Sequence, residues 1–208
     1  MTTKKLLFCL FLMIACLNSY SQVKSIMFDN RDRITVDSTL ADSYGVYGKL
    51  SGDSVFTFKK LNFDGVLLTT GSFKDDSLQV PHGKFTYYDW VTPDINYANQ
   101  SFEVNGKERY ISLIGNFLDG LKTGRWVSFY ADGKLKQVAT YSHGVLHGPY
   151  QLFKWNGKLD VQGIFVAGKK NGTWILNGGK REDQYRNDEL VSSLTGRKLR
   201  EKAAQGKN

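Results

Sequence analysis

The chain has 208 residues, 41% of them hydrophobic and 23% charged, which suits one or two folded domains and excludes a disordered tail. Its formal net charge of +8 is no nucleic-acid signature: residues 22 to 179 balance 18 basic against 15 acidic side chains, and the basic end RKLREKAAQGKN carries no aromatic to stack on a base. Glycine is frequent at 21 and proline scarce at 3, while aromatics reach 13%, the mix of many short strands joined by glycine turns.

Lys4 and Lys5 precede a twelve-residue apolar run, Leu6 to Leu17, and Ser19 and Ser21 stand at the minus-three and minus-one positions of a cleavage site before Gln22. Residues 1–21 therefore read as a signal peptide with a helical apolar stretch too short to cross a bilayer. Met13-Ile14-Ala15-Cys16 supports a second reading, a lipoprotein signal that would anchor the chain at Cys16. Both place the protein outside the cytoplasm, in periplasm, cell envelope or medium. Cys9 and Cys16 both lie in this leader, so a mature chain starting at Gln22 has no thiol nucleophile, disulfide or Cys metal ligand. Removing Lys4 and Lys5 takes the charge from +8 to +6.

Residues 22–190 read as one β-repeat domain. Ile34 to Val36, Tyr44 to Leu50 and Val55 to Phe58 are rich in β-formers, broken at Gly45, Gly48 and Gly52, and are expected to start the sheet. Weak repeats fill 44–114: Asn62-Phe63-Asp64-Gly65 followed by Phe73, and His82-Gly83-Lys84-Phe85. The stretch 89–105 departs from the pattern as an insertion.

The clearest repeats occupy 115–177 with a period of 24 residues. Gly120, Gly144 and Gly168 correspond, as do Gly124, Gly148 and Gly172; Trp126, Tyr150 and Trp174; and Phe117, Tyr141 and Phe165. Gly133 pairs with Gly157 and Leu135 with Leu159. Asp132-Gly133 and Asn156-Gly157 are expected as type I′ turns of tight hairpins. Tyr130 then faces Leu135, Ser128 faces Gln137, and Trp126 faces Ala139, all on one side with Tyr141. The other side takes Val127 and Phe129. Tyr150, Leu152, Leu159, Val161 and Phe165 share the first face of the next hairpin, with Phe153 on the second. A wider glycine loop from Gly120 to Gly124, and its equivalents, is expected between hairpins. Tyr185 to Leu190 looks like half a unit, a terminal cap, and 191–208 like a basic tail with a short helix between Lys198 and Ala204.

These residues resemble the bacterial variant of the MORN repeats, in which a unit looks like G-x-W-x-x-Y-x-x-[DN]-G-K-L followed by Y-x-x-G-x-x-x-G. The resemblance implies an all-β fold, an elongated single antiparallel sheet of repeated hairpins. It also implies a non-catalytic array that contacts proteins or membranes.

Chemistry is hard to place on this pattern. His82 and His147 occupy one repeat position, held elsewhere by Thr123 and Asn171, so a polar turn residue is all it asks for. Asp75-Asp76, Glu182-Asp183 and Asp188-Glu189 are sequence neighbours whose side chains on a strand point to opposite faces. No Ser sits in a G-x-S-x-G elbow and no glycine run opens a helix. Neither catalytic residues, a metal nor a cofactor is expected. Phe117, Trp126, Tyr130, Tyr141, Tyr150, Phe165 and Trp174 form the candidate interaction face. An unidentified protein or a second copy of the chain is the expected partner, with an envelope glycan or an anionic membrane surface as alternatives; nucleic acid is not expected. Whether the rings are buried or exposed decides between protein contact through edges and loops and sugar stacking on the face.

Overall fold

The computed structural model describes residues 23–91, 102–104 and 107–205. The expected signal peptide and cleavage site, Cys16 and most of the 89–105 insertion lie outside the described residues.

Among the described residues, 15 strands form one open antiparallel sheet. Its first half contains β1 (Lys24–Asp29), β2 (Ile34–Thr35), β3 (Ala41–Gly48), β4 (Phe56–Asn62), β5 (Leu67–Phe73), β6 (Gly83–Trp90) and β7 (Phe102–Val104). The second half contains β8 (Lys107–Leu118), β9 (Leu121–Phe129), β10 (Leu135–Ser142), β11 (Val145–Phe153), β12 (Leu159–Val166), β13 (Lys169–Leu176), β14 (Arg181–Arg186) and β15 (Glu189–Thr195). Helix α1 (Gly196–Gln205) follows and lies against β14 and β15, where Lys202 pairs with Glu182. From β8 to β15 each strand pairs with the next in sequence, a meander. At the other end β3 returns beside β1, which leaves β2 at the edge. The insertion lengthens β8 and adds β7 along its free flank.

The turns are the reverse of what the sequence suggests. Asp119-Gly120, His143-Gly144 and Ala167-Gly168 are the two-residue turns, with φ of 51° and 84°, 49° and 81°, and 49° and 81°. Positive φ at both central residues is the mark of type I′, whose twist matches that of the flanking strands. Asn187-Asp188 repeats it at 51° and 73° without glycine. Asp132-Gly133 is instead part of a three-residue loop. Tyr130 N–H bonds to Lys134 C=O, Gly133 N–H bonds back to Tyr130 C=O, and only Gly133, at φ 79°, is left-handed. Asn156-Gly157 and Asp64-Gly65 close in the same way. The extra residue shifts the register by one, so Leu135 faces Phe129 and Leu159 faces Phe153, while Ser128 with Gln137 and Trp126 with Ala139 stand as expected.

The wider glycine loop is also two separate features. Gly120 belongs to the tight turn, and Gly124 lies inside β9 at φ 63°, where three residues of β9 oppose the single Gly115 of β8. Gly148 and Gly172 make the same bulge in β11 and β13. Each bulge raises the local twist and re-aims the following ring.

Neighbouring units are tied through their turns. Gly144 N–H donates to Lys122 C=O at 2.9 Å, Gly168 N–H to Leu146 C=O at 2.8 Å and Asp188 N–H to Lys170 C=O at 3.0 Å. The acceptors are 24 residues apart, so every hairpin end is held by the unit before it.

Candidate interaction face

One face of the sheet carries a cross-strand row in which large rings alternate with small residues. Phe58 stands opposite Gly71, Phe85 opposite Gly115, Ala139 between Trp126 and Tyr150, and Tyr150 opposite Gly163. The rings lie down on their small neighbours. A Cβ at Gly115 would sit 2.5 Å from Cε3 of Trp126 and nearer to Cδ2 and Cε2; at Gly163 it would sit 2.7 Å from Cγ of Trp174. Phe85 covers Gly71 and Phe58 covers Gly45 in the same way. Glycine inside a strand costs entropy, and the close approach of a ring is its compensation here.

A second row supplies the edges. Phe58, Phe73, Phe85, Phe117 and Trp126 meet successively with centroids 4.9 to 5.5 Å apart and planes at 76° to 85°. Phe117 and Tyr141 flank Trp126 at 4.9 and 6.2 Å; Phe165 and Tyr185 flank Trp174 at the same two distances. Edge-to-face pairs of this kind add about 0.5–1.5 kcal/mol each beyond area burial. Lys122 Nζ stands 4.3 Å from the centre of the Trp126 ring and Lys170 Nζ 4.8 Å from that of Trp174, roofing both. Leu146 holds the intervening repeat position.

Single-sheet faces are normally wet, yet Trp126 and Trp174 are only 3% and 1% exposed. Glycine beneath, rings beside and a lysine stem above account for this. Phe117, Tyr141, Tyr150 and Phe165 are half-buried. Burial, followed by the neighbouring Tyr141, raises the Tyr150 phenol above its ordinary pKa. Tyr130 flanks the three-residue loop Ala131-Asp132-Gly133; Lys136 Nζ stands 5.9 Å from its ring centre, and its hydroxyl donates to Phe153 C=O at 2.8 Å, strapping one hairpin end to the next. Gly133 and Gly157 each have φ 79°, so the predicted turn glycines are left-handed although their turn type differs.

The row ends at Asp183, opposite Trp174 where a small residue would be due. It is fully buried, receives hydrogen bonds from Arg181 Nε at 2.8 Å, Ser193 Oγ at 2.6 Å and Tyr185 Oη at 3.3 Å, and pairs with Arg181 Nη2 at 2.7 Å. Burial pushes its pKa up, but the bonds from Arg181 and Ser193 outweigh this and hold it below the usual carboxylate value. The sequence signal, the doublet Glu182-Asp183, told only that the two side chains point to opposite faces of a strand. At the insertion, the fully buried Arg109 stacks on Trp90 and Tyr88, 4.7 and 5.3 Å from their ring centres.

A groove beside the ladder is lined by Leu113, Lys122, Trp126, Lys136, Gln137 and Tyr141, among others. The histidines do not converge. His82 Nδ1 lies 3.1 Å from Asp119 Oδ1, His147 Nδ1 accepts from Ala167 N–H at 3.3 Å, and His143 occupies a tight turn beside Ser142. His82 and His147 each contact the residue that opens a neighbouring turn. Among the described residues no three His, Cys, Asp or Glu side chains come together as a metal site.

The fold and face define an all-β, open-sheet hairpin-repeat protein with an aromatic ladder as its core. Compared with protein-family models and with curated proteins, the chain matches none.

Proposed function

We propose that the protein is an exported, non-catalytic scaffold of MORN type that binds another protein, or a second copy of itself, in the cell envelope. The observation that carries this reading is the burial of Trp126 and Trp174 beneath their own neighbours. Rings packed edge to face in the sheet are not available for stacking on a sugar, which leaves turns and strand edges for contact. The edge strand β15 supports it, being exposed at six of its seven positions.

Crosslinking in the envelope followed by mass spectrometry of the captured complexes tests the reading. A reproducible protein or self-crosslink through β15 or the turns supports it; retention on glycan with no protein crosslink refutes it.

A second reading, an envelope-glycan or peptidoglycan binder, rests on the groove beside the ladder, where Lys122, Lys136 and Tyr141 combine cations with a half-buried ring. It requires saturable binding of peptidoglycan fragments that Tyr141→Ala and Lys136→Ala weaken without shifting the unfolding midpoint.

A further inference from the structure

The N-terminal end of the aromatic face contains a charge that the ladder does not use. Lys60, on β4, is buried, and its Nζ stands 4.9 Å from the centre of the Phe28 ring. It lies in a cleft of about 170 Å³ lined by Phe28, Phe58, Phe73, Phe85 and Tyr87. The same cross-strand row continues through Thr69, Tyr87 and Leu113, all uncharged, so the sheet does not demand a cation there.

Lys60 pairs with Asp32, whose side chain is 81% exposed against 11% for that of Lys60. Asp32 reaches it from the β1–β2 turn. Asp29 builds that turn by accepting from the backbone N–H groups of Arg31 and Arg33, each at 2.9 Å, and from Arg33 Nε at 2.8 Å. Asp32 itself takes φ 60° within it. A carboxylate that remains in water gives up little hydration to pair and loses little on leaving, so it is an exchangeable partner for a buried ammonium. Tyr87 lines the same cleft, and burial, followed by the charge of Asp32, pushes its phenol up to about 12.

We propose that this cleft binds a carboxylate joined to a small apolar group. The carboxylate takes Lys60 Nζ in place of Asp32, and the apolar group lies among Phe28, Phe58 and Phe73. The size fits one ring or branched side chain, since an apolar cavity of about 150 Å³ accommodates benzene. A free aromatic acid and the C-terminus of a peptide ending in an apolar residue share this chemistry.

Calorimetric titration of the purified protein with 3-phenylpropionate, with a hexapeptide ending in a free Phe carboxylate, and with the amide of each tests the site. Saturable binding of at least one acid is expected, weakened about tenfold or more in its amide because a charge-assisted bond is lost. Asp32→Asn should tighten binding several-fold by removing the internal competitor, and Lys60→Met should abolish it. Asp32 is exposed, so its variant reads the site independently of any folding defect in the lysine variant. A peptide that binds about tenfold tighter than the free acid assigns a chain end; equal affinities assign a small acid. No saturable binding to wild type or Asp32→Asn, equal affinity for acid and amide, or weaker binding by Asp32→Asn overturns the proposal.

Discussion

A single methyl group at Gly115 is expected to cost more stability than its size suggests. Gly115 lies outside the left-handed region, so alanine is allowed by its backbone and, by restricting the unfolded chain, would by itself stabilise by about 0.4–1 kcal/mol. Its Cβ, however, would overlap the indole of Trp126, which is 3% exposed and flanked by Phe117 and Tyr141. The ring must lift from the sheet. Complete loss of a buried Trp side chain costs about 3–5 kcal/mol, and a displaced ring keeps part of its contacts, so Gly115→Ala should destabilise by about 2–3 kcal/mol. In Trp126→Ala the indole that the methyl would strike is gone, and the double variant should be no less stable than Trp126→Ala alone. A coupling of at least about 2–3 kcal/mol follows. Urea unfolding followed by far-UV circular dichroism, which does not rely on the indole, measures all four proteins. A wild-type midpoint for Gly115→Ala, or strictly additive effects, would refute the ring-on-glycine arrangement.

Gly133→Val and Gly157→Val should each destabilise by about 1 kcal/mol or more, because a β-branched residue is strained at φ 79°; unchanged denaturant midpoints would contradict the loop assignment. Ala167 occupies φ 49° in a tight turn, so Ala167→Gly should stabilise by about 0.5–1 kcal/mol, the reverse of the usual alanine-to-glycine effect in a strand. Asp29 is held down to about 2, chiefly by backbone and side-chain hydrogen bonds from Arg33. A depressed carboxylate contributes stability that is complete above the unfolded pKa of about 4 and is lost as pH falls through the folded value. Asp29→Asn should therefore lower the thermal midpoint at pH 7 and flatten its decline between about pH 4 and 2; an unchanged acid limb would show that the turn does not depend on this charge.

Much of the architecture was legible in the period. Glycines, aromatics and turn dipeptides recurring at 24 residues announce hairpins that cannot bury their rings alone, and the weaker copies at Asn62 to Gly65 and His82 to Phe85 adopt the loop and ring positions of the clear ones. That the rings of Phe117, Trp126 and Tyr141, and those of Tyr150, Phe165 and Trp174, come together was legible in the period. The partner of Tyr130 was not, because one extra loop residue moves Leu135 from Tyr130 to Phe129. Lys122 and Lys170 were overlooked because a charged residue beside a turn reads as solvated until a ring is known to lie beneath it.

The sequence alone determined an antiparallel array of hairpins, because positive-φ glycines and β-forming runs act over a few residues. The tertiary structure decided which turn is tight: Asp119-Gly120 and Asp132-Gly133 have similar local preferences, and pairing of the flanking strands selects between two residues and three. It also decided that Gly115 and Gly163 are seats for indole rings, that Asp183 closes the ladder, and that Lys60 meets Asp32 across 28 residues of chain. Each of these joins different strands, and contacts across strands are set by register and packing, which residue order encodes only through the whole sheet.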